Sequence, residues 1–576
     1  MARHAATRRD HPRLRVLLAV AAVAVVAGGT LSSAPAANAD TYVPISGAGS
    51  TWSQNAIDQW RRNVNQYGLR INYAGTGSSD GRNQFRNGTV DFGVSEIPYG
   101  LRDNNVVDAP PSRPYAYLPI VAGGTSFMYN LKVGGRQVTN LRLSGQTLSK
   151  IFTGVITNWG DPAIKADNPG LVLPARKIVP VVRSDGSGTT AQFTAYMSRQ
   201  YPDVWNAYCA RAGRSTPCGL TSFYPVVPGS GFTAQSGSLG VSGYVSQAAN
   251  EGTINYVEYS YALNAGFPVV KLLNQSGYYV EPTAQSVAVA LLSAQIDETP
   301  ASPTYLQPNL APVYNSTDPR AYPMSSYSYM IVPTATTDTF STDKGKTLGA
   351  FAYYFLCEGQ QQAPVLGYSP LPINLVQSGL NQVRKIPGVA AQSIDIKKCN
   401  NPTFSSDGTN TLAKTAPQPA VCDRQGPYQC STGTAGAANT PTTVLAAAIP
   451  PSGSNATTPG RILSPSTTPS PGVTHGPGSA TSNAGGATSP TTTTTPGGAQ
   501  TAASVDPNTG LVLATNSQGQ ATVSSQQIAA QPVSFAASTG WQTQYTLMLL
   551  AAGLLVGMIV GPPLVAHALS NRGDGT

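Results

Sequence analysis

The sequence predicts an α/β fold in two domains, set between an export signal and a membrane span. Two observations carry the fold class. Strands and helices alternate from residue 42 onward, which implies a parallel sheet with binding at the strand C-terminal ends. Short segments rich in glycine and hydroxyl residues stand at the joints between strand and helix. Residues 41–400 are enough chain for two such units.

The elements are expected in this order. Residues 42–46 read as a strand, 53–66 as a helix, 70–73 as a strand, 81–87 as a helix and 90–94 as a strand. A second alternating set follows. Residues 148–152 and 191–200 read as helical, and 178–182 as a short buried strand feeding directly into Arg183. Residues 254–257 read as a strand, and the aromatic run Tyr256 to Tyr261 as interior packing and hinge. Residues 347–357 form an apolar helix.

Four segments stand out: Gly47-Ala48-Gly49-Ser50-Thr51-Trp52, Gly75-Thr76-Gly77-Ser78-Ser79-Asp80-Gly81, Asp91-Phe92-Gly93-Val94-Ser95-Glu96, and Arg183-Ser184-Asp185-Gly186-Ser187-Gly188-Thr189-Thr190. Glycine lets a backbone N–H approach a ligand closely. The first N–H groups of a helix lack intrahelical partners and sit at the positive end of its dipole. Several such termini, with one arginine and one carboxylate, make a pocket for a small oxyanion. Ser187 and Thr189 are also good helix caps, Ser79 reads as a cap, and Asp185 either orients Arg183 or caps the next helix.

Composition removes several alternatives. The only histidines are His4, His11, His475 and His567, all outside the globular region. Ser-His-Asp and Cys-His catalysis and histidine metal ligation are therefore excluded there, which counts against a phosphatase. The net charge of +9 includes the signal region; residues 40–435 hold 28 Lys+Arg and 23 Asp+Glu, so +5. That balance, without a basic run, speaks against a nucleic-acid partner. Six cysteines, Cys209, Cys218, Cys357, Cys399, Cys422 and Cys430, suit an oxidising compartment. Proximity in sequence suggests the pairs 209–218, 357–399 and 422–430. No cofactor is implied.

The ends are distinctive. Residues 1–39 read as a signal peptide: a start with five arginines, an apolar run from Val16 to Ala27, and Ala37-Asn38-Ala39 before Asp40. Residues 401–435 read as a cysteine-containing extension. Residues 436–540 are a Ser/Thr/Pro/Ala/Gly-rich linker, expected to be a disordered stalk. Residues 545–569 read as a transmembrane helix, with 23 uncharged residues from Leu547 to Leu569 that reach roughly 35 Å. Arg572 beyond it places residues 570–576 in the cytoplasm and the bulk outside.

Taken in order over about 45–380, Gly47-Ala48-Gly49-Ser50-Thr51, Gly77-Ser78-Ser79, Arg183 to Thr189, Ile254-Asn255-Tyr256-Val257-Glu258-Tyr259 and Leu366-Gly367-Tyr368-Ser369-Pro370-Leu371-Pro372 resemble the phosphate-binding proteins of Pst-type ABC phosphate importers. The resemblance implies a two-lobed, hinged periplasmic-binding-protein-like fold (type 2), closing over phosphate between the lobes. The first lobe would take about 41–120 and 315–388 and the second about 121–314, with two crossings between them. It implies ligand contacts from Ser50, Thr51, Trp52, Ser78, Arg183, Ser187, Gly188 and Thr189. Glu96 stands where the family has an aspartate that accepts the hydrogen of hydrogen phosphate. The implied partners are inorganic phosphate, an ABC permease and, through the C-terminal helix, the membrane. The alternative is a membrane-anchored surface sensor or interaction protein that reuses the fold for another oxyanion or for no ligand.

Overall fold

The computed structural model describes residues 42–103, 106–299, 302, 308–389, 399–404 and 409–450, with the backbone of three short strands farther on. The chain divides into two units, Met1–Gly460 and Arg461–Thr576.

Within the first unit, the first lobe begins with β1 (Ile45–Gly49), α1 (Gln54–Asn65), β2 (Ile71–Ala74), α2 (Ser78–Arg86), β3 (Phe92–Ser95) and the long β4 (Tyr115–Ser126). The second lobe follows with β5 (Val179–Arg183), α3 (Gly188–Gln200), β6 (Thr233–Gln235), α4 (Gly237–Val245) and β7 (Thr253–Asn255). Then come β8 (Val257–Glu258) and α5 (Tyr259–Asn264). The first lobe is completed by β9 (Ser325–Pro333), α6 (Thr342–Leu356) and α7 (Ile373–Val383). Its sheet runs β8-β4-β9-β3-β1-β2. The second lobe holds a parallel sheet in the order β6-β5-β7.

Local sequence explains the elements. Helix α1 buries Ala56, Ile57, Trp60 and Val64, the spacing of one helical face. Trp60 stacks on Phe355 of α6 with ring centroids 5.4 Å apart, and its indole N–H donates to the Gly359 carbonyl at 2.8 Å. The second lobe gathers Val181, Val241, Val245 and Val269 into one apolar cluster.

Four expectations are corrected. First, β1 starts at Ile45 rather than Tyr42, so Gly47 and Gly49 lie in the strand and not in a turn. Gly47 pairs with Phe92 and Tyr73, and a Cβ on it would stand 2.1 Å from the Phe92 ring. Second, the first lobe's sheet is mixed: β1, β2 and β3 are parallel, while β9 runs antiparallel to both β3 and β4. Third, residues 254–257 are not one strand, because the chain breaks at Tyr256 and passes from the second lobe's sheet to the first lobe's. Fourth, α2 begins at Ser78, three residues before the expected start, because Gly77 has a positive φ of 97° and caps the helix from there.

The C-terminal extension corrects both the number of crossings and the start of the linker. The three disulfides are Cys209–Cys218, Cys357–Cys399 and Cys422–Cys430, as proximity suggested. Cys399 is thereby fixed beside the end of α6 in the first lobe. From there the chain crosses to the second lobe, a third connection besides the two expected. The buried Arg142 guanidinium donates to the carbonyls of Cys422 and Tyr428 at 2.9 and 2.8 Å. Lys271 pairs with Asp423 at 2.8 Å. Ala435 completes the second lobe's apolar cluster. The ordered chain continues past residue 436: Thr139 N–H donates to Thr442 Oγ1 at 2.7 Å and Leu445 N–H to the Gly170 carbonyl at 2.9 Å. Small residues dock there through hydrogen bonds, without needing the apolar area that composition tracks.

The segments read as signal peptide and membrane span lie outside the described residues. No helix among the described residues is long and apolar enough to cross a membrane. The stretch read as a structureless stalk contains Ser504–Val505, Val512–Thr515 and Ala521–Thr522, paired antiparallel in sequence order. Valine and threonine in that run favour extended backbone.

The Cys357–Cys399 bond closes a loop with sequence separation 42. Replacing both cysteines by serine is expected to lower stability by about 2–4 kcal/mol. Denaturant melting checks this; an unchanged midpoint would show that the crossing segment holds without its covalent anchor.

Candidate functional site

The predicted residues converge where the two lobes meet. Helix α2 packs on β1 at glycines: a Cβ on Gly81 would stand 2.3 Å from Gly49 Cα, and one on Gly49 2.1 Å from the Val94 carbonyl oxygen. That contact sets Ser50, just after β1, beside Ser78 at the head of α2. Both hydroxyls donate to the same carboxylate, Ser50 Oγ to Glu96 Oε1 at 2.6 Å and Ser78 Oγ to Oε2 at 2.8 Å. Gly188 N–H, at the head of α3, donates to Ser78 Oγ at 3.1 Å. Trp52 N–H donates to Ser50 Oγ at 3.0 Å. The Trp52 ring is buried edge-on to Tyr368, so the peptide N–H, not the indole, faces the site.

A second group joins the same place. Arg183 is buried at the end of β5. Its Nε donates to Asp185 Oδ1 at 2.7 Å, and its Nη2 donates to Asp185 Oδ2. Asp185 also accepts the Gly237 N–H at 2.9 Å. Asp185 therefore orients Arg183 and ties it to the head of α4, not of α3. Arg183 Nη1 donates to Ser238 Oγ at 3.4 Å. Ser238 Oγ lies 2.8 Å from Thr51 Oγ1, and its N–H donates to the same Thr51 oxygen at 3.2 Å. Ser187 Oγ accepts the Thr190 N–H at 3.2 Å and so serves as the N-cap of α3. Thr189 Oγ1 is buried without a hydrogen-bond partner among the described residues.

Several contacts hold the lobes together around the site. Ser79, expected to be a helix cap, instead spans the lobes: its N–H donates to the Gly186 carbonyl at 3.0 Å and its Oγ to Ser222 Oγ at 3.1 Å. At the rim, Asp103 of the first lobe pairs with Arg214 and accepts the Thr221 hydroxyl at 2.7 Å. Arg214 sits in the loop stapled by Cys209–Cys218.

Two contributors were not foreseen. Ser238 follows Ser236-Gly237 at the head of α4, the same glycine–hydroxyl signal used for the other segments, and could have been found by it. Ser328 lies inside the fully buried β9, and its Oγ donates to Glu96 Oε1 at 2.7 Å. No local pattern marks a serine in a strand as part of a site.

The electrostatics follow from burial. Burial pushes the Glu96 carboxyl above its ordinary value, while hydroxyl bonds from Ser50, Ser328 and Ser78 and the Arg183 charge pull it back. Burial also raises Asp185, but the hydrogen bonds and charge of Arg183 outweigh it and hold Asp185 below its ordinary value. The site thus offers hydroxyl and peptide donors, an oriented guanidinium, a helix N-terminus and one carboxylate acceptor. Such a set suits a small oxyanion that carries a hydrogen. Among the described residues no group of three or more His, Cys, Asp or Glu is placed to hold a metal ion.

Glu258 Oε1 and the Trp52 ring both lie against Gly123 of β4. Glu258 Oε2 accepts the Ser260 N–H at 2.7 Å, while Oε1 is buried without a partner among the described residues. Burial pushes its pKa well above the ordinary value near 4.5. The folded protein therefore keeps a proton that the unfolded chain releases. This contribution to stability is fully present below about pH 4.5 and is lost as pH rises through the folded pKa. Glu258→Gln removes the ionisation, so its melting temperature is expected to fall less than the wild type's between pH 5 and pH 8. Parallel melting curves would overturn the assignment.

A family model described as a PBP superfamily domain matches residues 32–358. A phosphate-binding protein PstS of Xylella fastidiosa strain Temecula1 is 35% identical over 344 residues, which is 60% of this chain and 85% of that protein. A phosphate-binding protein PstS of Haemophilus influenzae is 31% identical over 356 residues, 61% of this chain and 94% of that one. Among solved structures, a phosphate-binding protein from Stenotrophomonas maltophilia is 18% identical with a TM-score of 0.44, covering 64% of this chain and 99% of that one.

Proposed function

The chain belongs to the PBP superfamily and, within it, to the PstS-type phosphate-binding proteins; from that premise we propose that it captures inorganic phosphate outside the cell for ABC-type import. The observation that carries the reading is the convergence of Ser50, Thr51, Ser78, Glu96, Arg183 and Gly188 where the lobes meet. Binding is by hinged closure, and the protein performs no covalent chemistry.

The ligand class follows from the donor and acceptor set. Hydrogen phosphate offers oxygens to Arg183, the serines and the head of α3, and one hydrogen to an acceptor. Sulfate at neutral pH carries no hydrogen and would set an unpaired charge against Glu96. A site built to bond one hydrogen rejects the analogue lacking it by several kcal/mol. The Asp185 clamp presents Arg183 in a fixed orientation, so little freedom is lost on binding. Donors come from both lobes, so the anion completes its coordination only when they are together.

Around this unit we place the rest of the chain. Residues 1–39 are removed on export, residues beyond 450 form the stalk, and 545–569 anchor it in the membrane, with an ABC permease as partner. The sequence pattern supports this arrangement. It predicts a mature N-terminus at Asp40 and a chain that sediments with membranes. Recovery of the intact chain as a soluble secreted protein would overturn the anchor.

Calorimetric titration of residues 40–450, stripped of ligand, tests the function. Phosphate is expected to bind at micromolar or lower concentration and sulfate not at all. Arg183→Ala is expected to weaken phosphate binding by roughly 100-fold or more, the loss of charge-assisted hydrogen bonds in a buried site. An absence of heat and of thermal shift with phosphate would overturn the reading.

A further inference from the structure

The Glu96 carboxylate already holds hydroxyls that a bound oxyanion needs. Ser50 donates to Oε1 at 2.6 Å, Ser328 to the same oxygen at 2.7 Å, and Ser78 to Oε2 at 2.8 Å. Oε2 lies so close to the head of α3 that a Cβ on Gly188 would stand 1.9 Å from it. The carboxylate is buried and shares the site with the Arg183 charge. Hydroxyl donors, a nearby guanidinium and a helix N-terminus are the surroundings of a bound anion. Here that anion is part of the chain. A glutamate carboxylate reaches it because it stands about 1.5 Å, one C–C bond, farther from the backbone than an aspartate's.

We propose that Glu96 is a tethered competitor for the ligand: capture exchanges its carboxylate for the oxyanion on Ser50 and Ser78, while Ser328 keeps the displaced carboxylate turned toward the ligand's hydrogen. The inference rests on the phosphate reading above. A serine hydroxyl has one hydrogen, so a serine donating to Glu96 cannot at the same time donate to phosphate. Each such bond made with the ligand is one lost with Glu96, and the net gain per bond is small. The competitor therefore lowers affinity and speeds release relative to a site whose acceptor stops short of the donors. Ser328 belongs to β9, and its Oγ meets Glu96 Oε1 and, at 3.2 Å, Ser53 Oγ; among the described residues Glu96 is its link to the site, so it is a positioning residue. Its role is to keep the acceptor in use after exchange.

The test is a set of phosphate titrations and stopped-flow release measurements on the full chain in detergent micelles. Wild type, Glu96→Asp, Ser328→Ala and the double variant are compared, each with a ligand-free melting curve as a folding control. Glu96→Asp is expected to bind phosphate about 10-fold more tightly and to release it more slowly, the competition for Ser50 and Ser78 having been removed. Ser328→Ala is expected to weaken the wild type several-fold. It should have little effect in the Glu96→Asp background, where the shorter carboxylate no longer reaches Ser328. Equal or weaker binding by a well-folded Glu96→Asp chain overturns the inference, as does the same Ser328→Ala effect in both backgrounds. If Glu96→Asp does not fold, Ser328→Ala in the wild type decides: weaker phosphate binding supports the exchange, and unchanged binding overturns it. Wild-type binding without the gain removes this inference alone. Failure of every folded variant to bind phosphate removes the underlying reading as well.

Discussion

Gly81 of α2 rests on Gly49 of β1 with no room for a side chain on either, and the rest of the site depends on that contact. It brings the end of a strand and the start of a helix within one hydrogen bond of a common partner, so that Ser50 and Ser78 can serve the same carboxylate. Any Cβ at Gly49 would meet the Val94 carbonyl oxygen, and β3, which carries Glu96 at its end, would have to move. The spacing of Ser50, Ser78 and Glu96 is therefore set by backbone contact in the first lobe. The second lobe adds its own rigid piece, Arg183 held by Asp185 against the head of α4.

Two rigid halves need a connection that moves without losing register. The long antiparallel pair β4 and β9 runs through the first lobe's sheet, and β8 joins it at Ser126 and Thr125. Tyr256 stands at the break between β7 and β8, and its hydroxyl accepts the Arg183 N–H at 3.1 Å. The chain's passage between lobes is thus hydrogen-bonded directly to the backbone of Arg183. The C-terminal extension adds a third path, covalently fixed at Cys357 and hydrogen-bonded to Arg142, Thr139 and Gly170 at its far end.

The site combines a buried acid with a buried base in one cleft, and the protein meets the cost differently for each. Arg183 is met by a carboxylate partner at two points. Glu96 has no such partner and relies on three hydroxyls, so burial still raises its pKa. This asymmetry leaves the guanidinium fixed and the carboxylate exchangeable. It matches the needs of capture and release: a constant attraction for the anion, and an acceptor whose bonds can be redistributed at small net cost.

The sequence by itself determined the α/β class and marked most of the residues that converge between the lobes, because strand–helix joints depend on residues close along the chain; it suggested the disulfide pairs, which the fold then placed together across a separation as large as 42. Glycine–hydroxyl runs are local instructions for strand–helix joints, and they marked Ser50, Ser78 and Arg183 to Thr189 without knowledge of the fold. The histidine-free core was equally plain and removed whole classes of chemistry. Tertiary structure decided what distant segments do to one another. Ser328 lies 232 residues from Glu96, inside a strand with no local mark of function. Ser79 looked like a cap because its partner Gly186 lies in the other lobe. Residues 436–449 looked like linker because they dock through hydrogen bonds and not through apolar area. Hydrophobic pattern and propensity report how a segment meets solvent and its near neighbours. They carry no information on which distant hydroxyl completes a carboxylate's shell, and that choice is made only when the sheets and helices pack.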